Sequence, residues 1–587
     1  MTTEELFEKY PDILVYDFEV FMKFWCVVIC SAEGILEITD QKALVEVYDR
    51  YRDRIWIGFN SNHYDSYILG GVYNGLPQGT LYMASQDLIE NGRTQRGGGP
   101  PEGFVSYDTG DRFHSLKQLE AYMGHSIEES SIPFDTDKEF TEEMKAETLK
   151  YCRHDVLETV EVLKRRIYDF MAQKSLIETF GLPKTDYRLT KAQLTAKVLK
   201  CNRKYDLKHQ EWTNKILPCV RITKYTEVLD FYSNPKNYME AQKKDVKISG
   251  VPHTFALGGI HGAIKRCHRK GKLLHIDVTS YYPSIMIQHN LLTRQSEEPE
   301  LFTQIYNKRV ELKKAGKKEE QAPYKIILNS TFGITNQEFS RAYDPQRNHD
   351  VCINGQLMLL MLLEMLEGTC DLIQSNTDGI IVDCTGWDQE KVEEICHKWE
   401  EETKMGLSFD QVSEIWQKDV NNYLIRFDNG KEEAKGAYVK FNSELDNDLS
   451  IVNEAVREGL RKMSFRAMED YIRNSNDLIK FQKIVKLSNL YSHVYLGAHE
   501  IKNHKCFRVF AVVDGEIISK AKSREGTHEK YANTPESATI VFGDLNDENL
   551  RDYMDHKFSI ESIDKDYYIE VARNRLMDFG LQRWLDG

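Results

Sequence analysis

The sequence lacks the cysteine spacing of disulfide-rich and zinc-binding proteins. Its eleven cysteines are odd in number and form no Cys-x-x-Cys pair. Disulfide frameworks need cysteines in pairs, and structural zinc sites need closely spaced ligands. The cysteine pattern therefore favours reduced thiols in a reducing compartment.

Long apolar segments are also lacking. The longest uninterrupted apolar runs, Phe24–Cys30 and Leu357–Leu363, are much shorter than the roughly 20 residues that span a bilayer. The first residues, MTTEELFEKYPD, are acidic and have neither the basic nor the apolar region of a signal peptide. These absences predict a cytoplasmic protein with no membrane association.

Positive charge is in deficit as well. The chain has 77 Lys and Arg against 92 Asp and Glu, a net charge of −15, which by itself argues against a nucleic acid partner. A basic cluster is most often a solvated face, and it becomes a candidate phosphate contact only where neighbouring residues require such a partner. Four basic clusters are present: Lys191–Lys208, Lys265–Lys272, Lys308–Lys318 and Lys480–Lys486.

Two carboxylates, Asp277 and Asp378, lie at positions where predicted strands end or turn, so a sheet could bring them together. In LLHIDVTSYYPSIM, Leu273–Met286, an apolar run with strand character ends at Asp277, and the next residues read as a turn into a helix. The later stretch SNTDG lies between two apolar runs and predicts a β-hairpin with Asp378 at its turn. Alone, an Asp-Gly pair is most often just a turn former.

A second set of acids lies near the start of the chain. Residues 13–30 predict a hairpin of two buried strands, and the period of two places Asp17 and Glu19 on one face of the first strand. Asp65 follows a short strand over residues 55–59, and Asp155 lies on a helix that also carries Tyr151 four residues earlier. Any one of these acids is by itself more often a surface residue or helix cap.

Taken together and in order, these stretches resemble known motifs. LLHIDVTSYYPSIM, KIILNSTFG (residues 325–333) and SNTDG resemble motifs A, B and C of the family B DNA polymerases, DxxSLYPS, KxxxNSxYG and DTDS. Asp17 with Glu19, Asp65, and Tyr151 with Asp155 resemble the three motifs of the DEDDy 3′–5′ exonucleases. The resemblance covers most of the chain and suggests a compact polymerase of the bacteriophage type.

The resemblance implies roles for individual residues. The catalytic and metal-binding carboxylates would be Asp277 and Asp378 in one site, and Asp17, Glu19, Asp65 and Asp155 in the other, where Tyr151 would orient water. Each site would hold two Mg²⁺ ions, with Mn²⁺ as an alternative. The implied nucleotide-binding residues are Arg309, Lys313, Lys325, Asn329, Phe332 and Tyr282, the last at the steric-gate position. The implied DNA-binding residues are Asn60, Gly258, Gly259, Gly333 and Tyr423.

Local patterns place some of these residues on helices. TQIYNKRVELKKAG predicts a helix that ends near Gly316, and Pro323 predicts the start of a second helix. Thr190 is a predicted N-cap for a basic helix that includes Lys200. The acidic stretch over residues 128–150 predicts a solvated segment that leads into the helix of Asp155.

The expected fold is a multidomain α+β architecture, with an RNase H-like exonuclease domain and a right-hand polymerase. The 587 residues suffice for three or four domains. The predicted domains are an exonuclease (1–165), a helical connector (166–254), a palm (255–299 and 336–448), fingers (300–335) and a thumb with the C-terminal region (449–587). Because the first acids fall within the first twenty residues, an additional N-terminal domain is not expected.

Departures from the family patterns leave two other functions open. Asn376 replaces an aspartate of motif C, Phe332 replaces a tyrosine, and Asn421 replaces the lysine of a KxY element that Tyr423 matches. One alternative is a non-polymerising replication scaffold, and the other is a DEDD exonuclease whose C-terminal half only binds nucleic acid. The intact set of Asp277, Lys325 and Asp378 weighs against both.

The motif spacing bears on priming and partners. Asp277 and Lys325 are 48 residues apart, and Lys325 and Asp378 are 53 apart, which leaves no room for the insertions of the protein-primed polymerases. Nucleic-acid priming is therefore expected. The expected partners are primer-template DNA and dNTPs, with accessory proteins of phage replication as candidates, in the cytoplasm of a bacterial host.

Overall fold

The computed structural model describes residues 1–97, 99–208 and 213–586 and has a mixed α+β architecture. The chain divides into two compact units. Unit 1 comprises Met1–Arg188, Asn442–Ile451 and Ile472–Ile569, and unit 2 comprises Leu189–Phe441, Val452–Tyr471 and Glu570–Gly587. The segment predicted as a thumb, 449–587, is thus divided between the two units.

Residues 1–97 and 99–188 of unit 1, which the structure describes, build one sheet and seven α-helices. Their elements are α1 Thr3–Lys9, β1 Ile13–Val20, β2 Trp25–Ser31, β3 Gly34–Ile38, α2 Gln41–Arg50, β4 Ile55–Gly58, α3 Asp65–Tyr73, α4 Gln78–Asn91, β5 Ser106–Asp108, α5 Leu116–Met123, α6 Glu142–Arg165 and α7 Ile167–Thr179, with 3₁₀ turns at Ser61–His63 and Lys184–Arg188. The sheet order is β3-β2-β1-β4-β5. β1, β2 and β3 are antiparallel, whereas β4 and β5 run parallel to β1.

The predicted hairpin over residues 13–30 is confirmed as β1 and β2. Both strands are rich in aromatic and β-branched residues, which suit a pleated, buried surface. The core against this sheet includes Tyr16 and Trp56, whose rings meet edge to face with centroids 5.2 Å apart. Apolar side chains of α2 and α3, such as Tyr48 and Ile68, complete that core.

Unit 2 contains a long antiparallel sheet and most of the remaining helices. The elements from 189 to 441 are α8 Lys191–Val198, α9 Thr226–Ser233, α10 Pro235–Met239, β6 Lys244–Ile248, β7 Val251–Ala256, β8 Gly259–Ala263, β9 Cys267–Val278, α11 Tyr281–Gln288, α12 Glu300–Lys314, α13 Lys318–Thr335, α14 Pro345–Leu366, β10 Asp371–Asn376, β11 Gly379–Asp383, α15 Gln389–Thr403, β12 Leu407–Asp419, β13 Asn422–Phe427 and β14 Glu432–Lys435. The nine-stranded sheet has the order β14-β13-β12-β9-β11-β10-β8-β7-β6.

Helix α14 is the core helix of unit 2. By length and composition it could cross a membrane, but 89% of its most apolar window is buried inside the protein. Polar side chains in the first half of this helix hold an extended segment over residues 213–217. The carboxamide oxygens of Gln346 and Asn354 accept hydrogen bonds from the N–H groups of Thr213 and Leu217. The same carboxamides donate to backbone carbonyls of this segment. Side chains of the helix therefore satisfy backbone groups that a neighbouring β-strand would otherwise pair with.

Two helix predictions need correction. Helix α13 begins at Lys318, so Pro323 lies inside it rather than at its start. Glu319 and Glu320 in the first turn favour that earlier start, while an internal proline removes one N–H donor. Thr190 does cap α8, as predicted, but Lys200 lies beyond the end of that helix with a left-handed φ of 51°.

The C-terminal elements are α16 Ser450–Lys462, α17 Phe465–Asn474, β15 Lys483–Lys486, β16 His493–Leu496, β17 His499–Ile501, β18 Cys506–Glu516, β19 Ile518–Ala521, β20 Glu529–Lys530, β21 Ala538–Val541, α18 Lys565–Phe579 and α19 Leu581–Asp586, with 3₁₀ turns at Leu478–Phe481 and Ile560–Ser562. Two small sheets, β15-β18-β21 and β17-β16-β19-β20, belong to unit 1. The fully buried Arg508 donates to the carbonyls of Ala121 and His125, which ties β18 to the end of α5.

Candidate active sites

The acids predicted near the start of the chain do converge in unit 1. Asp17 and Glu19 project from β1, Asp155 projects from α6, and one carboxylate oxygen from each lies within 4.8 Å of the others. Asp65 opens α3, and its Oδ1 accepts the Phe18 N–H at 3.0 Å, which fixes this acid beside β1. The strand hairpin and two helices therefore bring four carboxylates to one place.

Crowding and burial act on these carboxylates together. Burial and then the charge of Asp65 raise the pKa of Asp17 well above its usual range, and burial and Asp155 do the same to the pKa of Glu19. Burial raises the pKa of Asp65 to about 7. Packed oxygen donors that repel one another are relieved by a cation, and hard ions such as Mg²⁺ and Mn²⁺ prefer such donors. The donor set thus fits a divalent metal.

Sequence reasoning missed a lysine in this site. Lys117 on α5 donates from Nζ to Asp155 Oδ1 at 2.6 Å and to Glu120 Oε1 at 2.9 Å. Its ammonium also lies 4.8 Å from the ring centre of Tyr151. Burial lowers the pKa of Lys117, but Asp155 and Glu120 raise it by more, so the ammonium remains charged. The spacing of Lys117 and Glu120, three residues apart on a helix, was the available signal.

Replacing Lys117 with methionine is expected to destabilise this unit. Asp155 and Glu120 would remain as buried carboxylates without their counter-charge, which costs about 3 kcal/mol in the free energy of unfolding. Added Mg²⁺ or Mn²⁺ should recover part of that loss, because a divalent ion would neutralise Asp155. Thermal unfolding with and without metal measures both effects, with the exposed Lys150→Met as control. Equal stability of the two variants, or no response to metal, would contradict the account.

The segment over residues 128–150 is less solvated than predicted, and this expectation was wrong in part. Glu129 faces the site: burial raises its pKa to about 7, Lys117 lowers it, and Asp155 and Glu120 raise it further. Phe140 packs on Phe24 with ring centres 5.0 Å apart, which pins the segment to the β1–β2 turn. Aromatic anchors outweigh the acidic composition here.

The remaining residues predicted for this site lie beside it. Burial and the nearby Asp155 raise the pKa of Tyr151, whose phenol therefore stays neutral. Asn60 has a left-handed φ of 59°, and its N–H donates to Asp108 Oδ1 at 2.8 Å, which leaves its side chain exposed.

The second pair of predicted carboxylates meets in the sheet of unit 2. β9 ends one residue after Asp277, and the predicted hairpin of Asp378 is confirmed as β10 and β11. Gly379 pairs with Asp277 across the strands, and the Val278 N–H donates to the Asp378 carbonyl at 2.8 Å. The two aspartates line one cleft, together with Asn376, Asp410, Tyr423 and Glu433.

This cleft is also crowded with acids. Burial raises the pKa of Asp277 to about 7, with further contributions from Asp378, Asp410 and Glu433. Asp410 pairs with His275 on the neighbouring strand, and Glu433 is supplied by β14. Sequence reasoning missed both acids, because only the sheet register brings them near Asp277. Carboxylate oxygens are the donors that a divalent metal prefers, although no three of these acids converge within 4.8 Å among the described residues, as the acids of unit 1 do.

Gly379→Ala is expected to lower any metal-dependent activity of this cleft by about 10- to 100-fold, because small misplacements of reacting groups have effects of this size. A Cβ at this position would lie 3.0 Å from the Ile276 carbonyl and 3.1 Å from Asp277 Oδ1, so the carboxylate must move. Gly79→Ala is the control, since its Cβ would meet nothing within 4 Å. Measuring that metal-dependent activity beside thermal unfolding separates an effect on the site from an effect on folding. Unchanged activity in Gly379→Ala would contradict the geometry.

Two aromatic residues predicted for nucleotide binding stack on each other. The rings of Tyr282 and Phe332 lie 3.9 Å apart at 17°, and the Tyr282 hydroxyl donates to the Gly258 carbonyl at 3.4 Å. Tyr281 is instead a buried core residue whose hydroxyl donates to the Gly355 carbonyl. The aromatic pair therefore joins α11 to α13.

The predicted cations differ in their surroundings. Arg309 on α12 donates from Nη1 to Ser280 Oγ at 3.0 Å, and its buried Nε has no hydrogen-bond partner among the described residues. This guanidinium lies beside the turn that follows Asp277 and is free to receive an anion. Lys313, Lys325 and Asn329 are exposed on α12 and α13. No contact joins these three to the two aspartates in the described part of the chain.

Local geometry accounts for two of the three glycines predicted to contact DNA. Gly258 has a φ of +93°, and a Cβ at Gly259 would lie 2.8 Å from Thr377 Oγ1, so this segment lies against the hairpin of Asp378. Gly333 faces open space, where a Cβ would meet nothing within 4 Å. Tyr423 is buried and hydrogen-bonds to Gln374 and Asn376.

Comparison with known proteins gives limited similarity. No family model matches the chain. It is 27% identical over 119 residues to DNA polymerase II of Escherichia coli (strain K12), a match that covers 20% of this chain and 14% of that polymerase. The structure of the family B DNA polymerase from the hyperthermophilic archaeon Pyrobaculum calidifontis aligns with 97% of this chain and 77% of that chain, at a TM-score of 0.43 and 14% identity.

Proposed function

We propose that the chain is a family B DNA polymerase that extends a primer on a DNA template and proofreads with a DEDDy 3′–5′ exonuclease. The observation that carries the proposal is the pairing of Asp277 and Asp378 in one acidic cleft at the ends of adjacent strands. The likeness over 119 residues to a bacterial DNA polymerase is consistent with it. Residues 1–188 supply the exonuclease, and the nine-stranded sheet supplies the palm.

In the polymerase cleft, Asp277 and Asp378 would hold Mg²⁺ or Mn²⁺. The bound ions supply charge neutralisation and a more reactive 3′ oxygen. The chain's own residues position the reactants, which is the main task of a protein in phosphoryl transfer. Arg309 contacts the triphosphate, while Lys313, Lys325 and Asn329 are drawn in when the helices α12 and α13 close on a nucleotide. Gly333 and Tyr423 contact DNA.

In the exonuclease site, Asp17, Glu19, Asp65 and Asp155 would hold the same type of ion, which supplies an activated water and stabilises the leaving oxygen. Tyr151, whose ring lies against the Lys117 ammonium, orients this water. Asn60 holds the single-stranded 3′ end. We place the protein in the replication of phage DNA, in the cytoplasm of the bacterial host. Its partners there are primer-template DNA, dNTPs and accessory replication proteins.

Tyr282→Ala is expected to admit ribonucleotides. The tyrosine ring, held against Phe332, leaves no space for a 2′-hydroxyl, and exclusion by steric clash is lost with the ring. The ratio of kcat/KM for a dNTP to that for the matching rNTP should fall at least about tenfold. Tyr281→Phe, which removes only a buried hydroxyl, should keep the ratio of the unmodified chain. An unchanged ratio in Tyr282→Ala would remove this residue from the sugar site.

Extension of a 5′-labelled primer on a longer template tests the proposed function. With Mg²⁺ and all four dNTPs, full-length product is expected, and without dNTPs the primer should shorten from its 3′ end. Shortening without extension, also with Mn²⁺, would favour a nuclease. If the primer is neither extended nor shortened, the result would favour a non-catalytic scaffold.

A further inference from the structure

Strand β8 supports the hairpin that carries Asp378. Gly262 and Ala263 pair with Ser375 and Gln374 in an antiparallel register, and continuing that register places His261 opposite Asn376. β8 comes this close because Gly259 leaves room for Thr377, the first residue of the hairpin turn. The turn of Asp378 therefore has a neighbour on each of its strands.

A polar contact joins the two strands at this point. The His261 imidazole hydrogen-bonds to the Asn376 side chain, while its Nδ1 is buried without a hydrogen-bond partner among the described residues. The Asn376 Oδ1 accepts the Thr377 N–H at 3.0 Å, so the same carboxamide connects His261 to the turn itself. Tyr423 contacts this carboxamide as well.

The negative charge of the cleft explains why two neutral side chains, His261 and Asn376, suit the position beside the turn of Asp378. Besides burial, the charges of Asp378, Asp410 and Glu433 already act on Asp277 there and raise its pKa. A carboxylate at position 376 would add a fifth negative charge, whereas a carboxamide adds none and still binds the turn. Burial, and to a smaller extent the charge of Lys435, lower the pKa of His261 and so disfavour a charged imidazole in the present sequence.

We propose that His261 is a positioning residue that holds the Asn376 carboxamide and, through it, the turn that aims Asp378 into the cleft. The proposal rests on the polymerase function proposed above. It also explains how the motif around Asp378 accommodates asparagine at position 376. In the present sequence His261 is a neutral partner for the Asn376 carboxamide, and next to an aspartate at 376 it would be a positively charged partner.

Four variants test the role by activity: His261→Ala, His261→Gln, Asn376→Asp, and the double variant His261→Ala with Asn376→Asp. They are made in an Asp155→Asn background so that primer is not degraded, and His499→Ala on an exposed residue is the control. Single-nucleotide insertion is measured over a range of Mg²⁺ and dNTP concentrations. Binding of dNTP to a complex with a 3′-dideoxy primer gives a second readout that requires no turnover.

His261→Ala is expected to lower kcat about tenfold and to raise the Mg²⁺ concentration for half-maximal rate, with little change in KM for dNTP. His261→Gln should recover most of the loss, because its carboxamide can bond to Asn376. Asn376→Asp adds a fifth negative charge to the cleft, and its loss of kcat should be smaller than that of the double variant, because His261 can take up a proton and pair with the new carboxylate. The double variant should fall below the product of the two single effects. Parental kcat in His261→Ala, or no recovery by His261→Gln, would overturn the proposal.

A measurement without catalysis separates this proposal from the proposed function. Histidine NMR of the metal-free, DNA-free protein follows the His261 ring, identified by its absence in His261→Ala. In Asn376→Asp the pKa of His261 should rise by at least about one unit, because a carboxylate replaces the carboxamide. An unchanged pKa would overturn the contact even if the chain extends primers. A rise in a chain that extends no primer would support the contact and refute the polymerase.

Discussion

Asp378→Asn is expected to reduce primer extension about a thousand-fold, because a lost metal ligand removes several kcal/mol of stabilisation from the developing charge. The structure gives the reason for so large an effect. Asp378 stands in the two-residue turn between β10 and β11, next to Gly379, which pairs with Asp277, and no other acid of the cleft occupies that turn among the described residues. Asparagine keeps the size of the side chain and removes only its charge.

The matched control for this variant is Asp371→Asn. Asp371 begins the same hairpin but is exposed and lies outside the cleft. It should extend primers at the rate of the unmodified chain, and both variants should shorten primers normally when dNTPs are withheld. Extension by Asp378→Asn within tenfold of normal, or an equal loss in Asp371→Asn, would refute the assignment of this carboxylate.

Asp155→Asn is expected to reduce the shortening of a single-stranded 3′ end about a thousand-fold, for the same electrostatic reason. Asp155 has two contacts that explain its importance: it completes the triplet with Asp17 and Glu19, and it accepts the buried ammonium of Lys117. Primer extension should be unaffected, because the two aspartates of the polymerase cleft are unchanged.

Glu142→Gln provides the comparison on the same helix. Glu142 is the first residue of α6, is exposed, and pairs only with Lys145 among the described residues. It should retain full shortening activity. If Asp155→Asn still shortens primers at near-normal rate, the acidic cluster of unit 1 is not the nuclease. If it loses extension as well, the two activities do not reside in separate sites.

Local patterns in the sequence were sufficient for the parts of the structure that depend on neighbouring residues. Alternation predicted the β1–β2 hairpin with Asp17 and Glu19, and the Asp-Gly turn between apolar runs predicted the hairpin of Asp378. The N-cap at Thr190 was predicted from a single side chain and its neighbours. In each case the determining interactions lie within a few residues.

The features that were missed depend on distant contacts. Lys117 reads as an ordinary helix lysine until α6 brings Asp155 to it, and Glu129 reads as solvated until its segment packs near the same acids. Arg508 resembles a surface residue, although it is fully buried against carbonyls of residues 121 and 125. Residue type predicts exposure for such polar side chains, whereas their burial is set by partners far along the chain.

One measurement tests the central claim of two active sites in one chain: the fate of a 5′-labelled primer with a mismatched 3′ nucleotide, in the presence of Mg²⁺ and dNTPs. The unmodified chain should first remove the mismatched nucleotide and then extend the primer to full length. Asp378→Asn should stop after removal, and Asp155→Asn should leave the mismatch in place in any product. A chain that extends the mismatched primer without removal, or that degrades it without any extension, would contradict the account.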